Sequence, residues 1–215
     1  MDYSSEILKK FLNLYWIRPE TAFWRTLDVL QMKSVEFKKP ILDIGCGDGS
    51  FSFTNFGGSV DYSFDVYRTI KNTSGFFEGV DIHNQNKLIK PKIIKKVEQQ
   101  IDVGLDWKKN LLTKASQLNT YKKLIHHDSN KKLPFKDETF ETIFSNTFYW
   151  LNSIENILNE SKRVSTKNGK IIIFVPDKKF KDSLIYNKFI KNEYEWAKIL
   201  DRGIYNNTKH CYTLS

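Results

Sequence analysis

The residues best placed to do chemistry are a glycine turn and two aspartates downstream of it. The run ILDIGCGDGSF carries Gly45, Gly47 and Gly49 directly after an apolar stretch that contains Asp43. Alternate glycines let a backbone turn sharply and approach a ligand where any Cβ would clash. The third glycine comes one residue too early for the dinucleotide GxGxxG pattern, and no Gly-Lys-Ser/Thr ending makes this a P-loop. Asp43 lies within the turn, where its charge would repel a pyrophosphate and suit a ligand carrying an ammonium group. Further on, GVDIH and VGLDWKK each close an apolar run on an aspartate, Asp81 and Asp106. Either could end a strand and present one carboxylate to a bound nucleotide.

Several elements must hold these groups. An amphipathic segment over 4–14 precedes the helix PETAFWRTLDVLQMK, whose Pro19 suits a first helical turn. Phe23, Leu27 and Leu30 share one face of that helix and are expected to pack inward. PILDIG (40–45) and IDVGLD (101–106) read as strands, and the helix after the second carries Leu111, Ala115 and Leu118 on one face. YKKLIHHD (121–128) and FETIFSN (140–146) are two more strands, and GKIIIFVPD (169–177) is expected as a buried one. Helices are expected over 153–165, with Ile154, Ile157, Leu158 and Ser161 on one face, and over 181–201. Strands alternating with helices imply a doubly wound, mainly parallel α/β sheet covered on both faces. The 215 residues are read as one domain, with an N-terminal helical cap (1–37), an insertion at about 54–100 and a C-terminal helix and tail (178–215).

Bulk composition narrows the classes. Hydrophobic residues make up 40% of the chain and 16 are Phe, enough for a sizeable core. A formal charge of +9 would suit nucleic acid or another anionic partner, but the lysines are spread in pairs such as Lys38-Lys39 and Lys131-Lys132, as on a solvated surface. Two cysteines make no disulfide framework and fit a reducing compartment. The first residues lack a signal-peptide core and no apolar run approaches ~18 residues, so a cytoplasmic protein is expected.

Taken together, Asp43-x-Gly45-x-Gly47-x-Gly49 resembles motif I of the class I S-adenosylmethionine-dependent methyltransferases, of the type 11 kind. KKLPFKDETFETIFSN (131–146) and RVSTKNGKIIIFVPD (163–177) resemble the family's segments around its fourth and fifth strands. The resemblance covers about residues 38–177. It implies a Rossmann-like fold, S-adenosyl-L-methionine as cofactor and S-adenosyl-L-homocysteine as product. It also implies that the carboxylate ending the second strand holds both ribose hydroxyls, for which two acceptor oxygens are well suited.

Spacing decides between the two aspartates. The 22 residues from Asp106 to Asp128 suit one strand-to-strand step of roughly 20–30 residues. The 47 from Asp81 are too many, and Pro91 blocks a continuous helix after it. Asp106 is therefore the expected ribose ligand, and Asp81 falls in the insertion as a surface or substrate-side residue. By the resemblance, Asp43, Gly45, Cys46, Gly47 and Asn146 line the cofactor site as well. Trp107 would lie on the adenine ring, and Asp128 and Ser129 would line its pocket. His126 and His127 alternate across a strand and are read as structural, so no metal is expected.

On the acceptor side SNTFYWLNS (145–153) lacks the Asp/Asn-Pro-Pro-Tyr/Phe box of the family's DNA and glutamine N-methyltransferases, and no catalytic base stands out. Tyr149 and Trp150 are candidate walls of an acceptor pocket and His210 a weaker contact, its ordinary reading being a solvated tail residue. Arg18 or Arg25 could offer a fork to the methionine carboxylate. Two departures from the family are visible. Thr-Lys-Asn-Gly stands where Lys-Pro-Gly-Gly is common, with Asn168 expected in a left-handed turn, and the 38 residues after Asp177 are too few for the family's last two strands. Either the chain is a fragment of a longer protein, or another element or a partner covers strand five. The reading is methyl transfer to an oxygen or nitrogen of a small molecule, such as a sugar or lipid precursor. Its rivals are an RNA methyltransferase, a cofactor-binding module without catalysis and, more distantly, a nicotinamide dehydrogenase.

Overall fold

The structure, a computed structural model, describes residues 2–65, 90–201 and 204–212. Helix α1 (Tyr3–Leu14) buries Ile7, Phe11 and Leu14. Helix α2 (Pro19–Met32) opens on proline, whose missing N–H has no partner to lose at that position. Its buried face is Thr21, Ala22, Thr26, Val29 and Met32. This corrects the expected inward stripe, because Phe23 and Leu27 are exposed. The helix has two apolar stripes, and small Ala22, Thr21 and Thr26 let it approach its neighbours more closely than phenylalanine would.

Strand β1 (Ile41–Ile44) is wholly buried. After the glycine turn come helix α3 (Ser50–Asn55) and strand β2 (Ser59–Val60). Strand β3 (Ile93–Lys95) pairs antiparallel with β2, so the described ends of the expected insertion form a two-stranded ribbon beside the main sheet. Asp81 lies outside the described residues. Strand β4 (Ile101–Asp106), helix α4 (Lys109–Ser116) and strand β5 (Tyr121–His126) make one parallel crossover unit, as the spacing required. Strand β6 (Phe140–Ser145) leads through a short 3-10 turn (Phe148–Trp150) to helix α5 (Ile154–Val164), which is capped by Ser153 accepting from the Asn156 N–H. Its inner face is Ile157, Ser161 and Val164, with Leu158 exposed.

The main sheet has the order β5-β4-β1-β6-β7, with β7 spanning Ser165–Ile173 and every pairing parallel. Leu42 and Ile44 point to one face with Leu105, Ile143 and Ile157. Phe144 points to the other, with Phe11, Phe51 and Phe53. That second face is largely aromatic, with Phe51 stacked on Phe144 at 5.8 Å, and removing Phe144 to alanine would cost about 3–5 kcal/mol.

Three expectations near the C-terminus are corrected. Strand β7 is not a buried strand but the sheet's last one, with Ile171 and Val175 exposed, because among the described residues no further strand joins it. Asn168 is not left-handed. Helix α5 runs directly into β7, and the residues between Ser165 and Lys170 bulge out against Phe140–Thr142. The helix expected over 181–201 is broken into a 3-10 turn (Phe180–Ser183), helix α6 (Asn187–Lys191) and helix α7 (Glu195–Asp201), with left-handed Glu193 between the last two. A short helix α8 (Ile204–Asn207) follows.

Candidate cofactor and acceptor site

The register aligns the carboxyl ends of four strands. Ile44 sits beside Leu105, Asp106 beside His126 and Ser145 beside Ile173, so the loops after β1, β4, β5 and β6 share one rim. Ligands of open parallel sheets bind at this end, where the strand order reverses. Here the reversal lies at β1, the strand that carries the glycine turn.

Backbone bonds to β4 hold the turn. The N–H groups of Gly45 and Cys46 both donate to the Leu105 carbonyl, at 2.7 and 3.0 Å. The Gly47 N–H donates to Asp106 Oδ2 at 2.9 Å, and the Lys108 N–H donates to Oδ1 at 2.8 Å. Asp106 is thus fixed by two backbone donors, each oxygen keeping acceptor capacity for a hydroxyl. Gly45 and Gly47 have φ values of 74° and 56°, a region costly to side-chained residues. A Cβ on Gly45 would lie 2.0 Å from Thr147 Oγ1, whereas one on Gly47 would meet nothing within 4 Å. Gly45 is packed against the β6 loop, and Gly47 borders open space beside Asp106.

The rest of the rim carries the other residues singled out in the sequence. Trp107, directly after Asp106, is 64% exposed, and its carbonyl bonds to the His126 ring. Asp128 accepts from the N–H and side-chain amide of Asn130, which holds its carboxyl below the usual range. Ser129 and Asn146 are buried at the ends of β5 and β6. The His127 ring bonds to the Lys132 carbonyl, so both histidines are spent on backbone groups. Among the described residues no cluster suits a metal ion.

Charge in the site is negative. Burial pushes the Cys46 thiol well up, and the neighbouring Asp43, Asp106 and Asp48 push it further, so it is a neutral wall and not a nucleophile. Burial also raises Asp106, opposed by the Lys108 and Gly47 N–H groups. Such a set suits a ligand bearing a sulfonium and an ammonium.

Asp43 is held by two protein donors. It is buried, and its Oδ2 accepts from Ser52 Oγ at 2.5 Å and Tyr121 Oη at 2.7 Å. Burial lifts its pKa to about 6 against these two bonds. Asp43 therefore ties the turn to α3 and β5. Sequence reading missed Tyr121, because nothing local links it to a residue 78 positions away. It also missed Thr147 as the stop behind Gly45.

Of the two arginines, Arg18 is committed elsewhere. It is buried, donating to Glu20 at 3.1 Å and to the Asp201 carbonyl at 3.1 Å. Arg25 bonds Asp28 and lies 5.2 Å over the Phe51 ring. Burial opposes its charge, but Tyr149, Asp28 and Tyr15 around it outweigh that and hold it firmly protonated. Tyr149 is buried and packs edge-on to half-exposed Trp150 at 5.4 Å. The tail folds onto them: the Lys209 N–H donates to the Tyr149 carbonyl at 2.8 Å, and the His210 ring pairs with the Leu151 carbonyl at 3.0 Å. His210 is thus docked and half-buried, not solvated.

Residues 94–173 match the family model described as "Methyltransferase domain". Together with the five-stranded parallel sheet, that match gives the chain the Rossmann-like fold of the class I S-adenosylmethionine-dependent methyltransferases. A methyltransferase domain of this class takes S-adenosyl-L-methionine as methyl donor and releases S-adenosyl-L-homocysteine. The matched stretch includes Asp106, Asp128 and Asn146 but not the glycine turn, which joins it through β1 pairing and the Gly47–Asp106 bond. Among solved structures the chain resembles one from Thermotoga maritima, a "SAM-dependent methyltransferase, possible histamine N-methyltransferase", with 16% identity and a TM-score of 0.52 over 96% of this chain and 75% of that one. A Pyrococcus horikoshii protein aligns with 18% identity and a TM-score of 0.48, covering 87% of this chain and 69% of that one. The YcgJ protein of Bacillus subtilis aligns with 16% identity and a TM-score of 0.40 over 72% of this chain, which spans only 52% of its length. No curated protein matches the sequence. Among the described residues no helix is long and apolar enough to cross a membrane.

Proposed function

We propose that the methyltransferase transfers its methyl group to an oxygen or nitrogen of a small molecule held against Tyr149 and Trp150, a sugar or lipid precursor being the type of acceptor that fits. The observation that carries this reading is the docking of the chain's own tail, through Lys209 and His210, on the backbone carbonyls of Tyr149 and Leu151 beside that aromatic pair. In this reading Asp106 takes the ribose hydroxyls, Trp107 lies on the adenine ring, Asp128 and Ser129 border its edge, and Gly47 gives the ligand room. Asn146 closes the site from the β6 side.

The cofactor, when bound, supplies a methyl group already activated on a sulfonium, so positioning can provide much of the rate. The protein's part is to hold the acceptor in line and keep water away, and the aromatic faces of Tyr149 and Trp150 suit both tasks. His210 bonds the Leu151 carbonyl through Nε2, and in this reading its other ring nitrogen serves the acceptor. We place the activity in the cytoplasm, where the free cysteines Cys46 and Cys211 stay reduced.

The test is incubation with methyl-labelled S-adenosylmethionine and a panel of hydroxylated and aminated small molecules, with total RNA as a separate acceptor. Label is expected in a small molecule, with Trp150→Ala lowering kcat/KM while S-adenosylhomocysteine affinity is kept. Label confined to RNA, or tight cofactor binding with no acceptor labelled, would overturn the acceptor assignment. Absence of cofactor binding would overturn the site itself.

A further inference from the structure

The C-terminal segment that covers one end of the fold carries an aromatic cluster on its outer side. Phe189 of α6 packs on Trp196 of α7 at 4.9 Å, Tyr186 meets Trp196 edge-on at 5.9 Å, and Tyr194 meets Phe189 at 6.2 Å. The cluster is not a core. Tyr194 is 52% exposed, Trp196 42% and Ile185, beside it, 55%. Tyr186 extends the patch to the loop between α1 and α2, where its hydroxyl donates to the carbonyl of exposed Ile17. Contiguous apolar surface of this kind on a folded chain marks a contact surface.

Its residue types narrow the partner. Between 178 and 198 six lysines stand against three acidic residues, Asp182, Glu193 and Glu195, in a chain whose formal charge is already +9. Lys188 and Lys191 flank Phe189, and Lys198 follows Trp196 on α7. Lysine is depleted at protein–protein interfaces, whereas tryptophan and tyrosine mixed with lysine are the residues of a membrane–water interface. There the rings sit at headgroup level, the ammonium groups meet anionic lipid, and long lysine stems reach outward from an apolar surface. No span of the bilayer is needed.

We propose that the Ile185–Lys198 face docks the protein peripherally on an anionic phospholipid surface. The site for the cofactor lies at the strand ends, so docking and catalysis are separable.

The test uses the full chain with phosphatidylcholine vesicles, with and without phosphatidylserine, in a co-sedimentation assay at low and high salt. Binding is expected only to the phosphatidylserine vesicles, to weaken as salt rises, and to fall at least about tenfold in the double variant Phe189→Ser, Trp196→Ser. Lys188→Gln with Lys191→Gln, which leaves the rings in place, should weaken binding as well. S-adenosylhomocysteine affinity serves as the folding control and should not change in either variant. Wild-type protein that stays in the supernatant with anionic vesicles, or a serine variant that binds them equally well, overturns the proposal. So does a monomer–dimer equilibrium abolished by the serine pair without vesicle binding, which would make the patch a contact between copies.

Discussion

The backbone N–H of Gly47 donates to Oδ2 of Asp106 at 2.9 Å, across 59 positions of sequence. The bond joins the turn after β1 to the carboxylate ending β4, and so fixes the distance between the ends of the ligand each would hold. Its consequence is that Asp106 is positioned before any ligand arrives.

Replacing Asp106 by alanine should therefore cost both the ribose contact and the brace on Gly47. Hydrogen bonds to a charged group are worth about 1.5–3 kcal/mol, so S-adenosylhomocysteine affinity should fall by roughly 10- to 150-fold. In a thermal melt at about 100 times the dissociation constant, the wild type should gain roughly 5–10 °C, and Asp106→Ala should lose most of that shift. Asp81→Ala should keep it. The reverse pattern, with Asp81 essential and Asp106 dispensable, would show that the wrong aspartate has been chosen.

Trp107 offers a cleaner separation of binding from stability. Because it is 64% exposed, Trp107→Ala should leave the ligand-free melting temperature nearly unchanged, within about 0.5 kcal/mol. Stacking of a base on an aromatic ring is worth about 1–3 kcal/mol, so calorimetric affinity for S-adenosylhomocysteine should drop by roughly 5- to 150-fold. Equal affinity in the variant would place the adenine elsewhere.

The two glycines should respond differently to the same change. In Gly45→Ala the new Cβ meets Thr147 Oγ1 at 2.0 Å on top of an unfavourable φ. Strain and overpacking together should cost about 3 kcal/mol of folding stability. Gly47→Ala carries only the backbone strain of about 1–2 kcal/mol, but its methyl projects into the space that the ligand needs. Denaturant melts should rank Gly45→Ala as the less stable protein. Calorimetry should show Gly47→Ala folded and weak in cofactor binding.

Asp43 sets a pH dependence whose sign follows from burial. Its pKa is lifted from 3.8 to about 6 in the folded state, so between those values the folded protein holds a proton the unfolded chain has released. This group's contribution to stability therefore declines as pH rises from about 4 to about 6, by about 3 kcal/mol in all. Asp43→Asn lacks the titration. Its stability relative to wild type should improve by that amount between pH 4 and pH 7 in urea melts. A gap that does not vary with pH would mean that Asp43 titrates normally. Tyr121→Phe, which removes one donor but keeps the ring against Gly104, should destabilise by about 1–2 kcal/mol near neutral pH.

Much of this was legible along the chain because its causes are local. Alternation of apolar runs with amphipathic helices is enough for a parallel α/β sheet, and β1, β4, β5 and β6 lie where their patterns put them. The β4–α4–β5 crossover was an argument of length, since such a step needs a certain number of residues whatever their identity. Binding measurements on the two aspartate variants decide between Asp106 and Asp81. The glycines announced their turn because only glycine tolerates those φ values cheaply.

What tertiary structure alone decided concerns partners distant in sequence. Pattern shows that α2 has apolar residues but not which of its two stripes lies inward; docking against α1 and the sheet chose Ala22 and Val29 over Phe23 and Leu27. An apolar run reads as buried until strand order is known, and among the described residues β7 proved to be the last strand of its sheet. Nothing along the chain told that Tyr121 and Ser52 meet on the Asp43 carboxylate. His210 looked like a tail residue until its ring met Leu151. Periodicity and spacing report what each segment can bury or span. Which group meets which depends on how all the segments pack at once, and no single stretch of sequence carries that information.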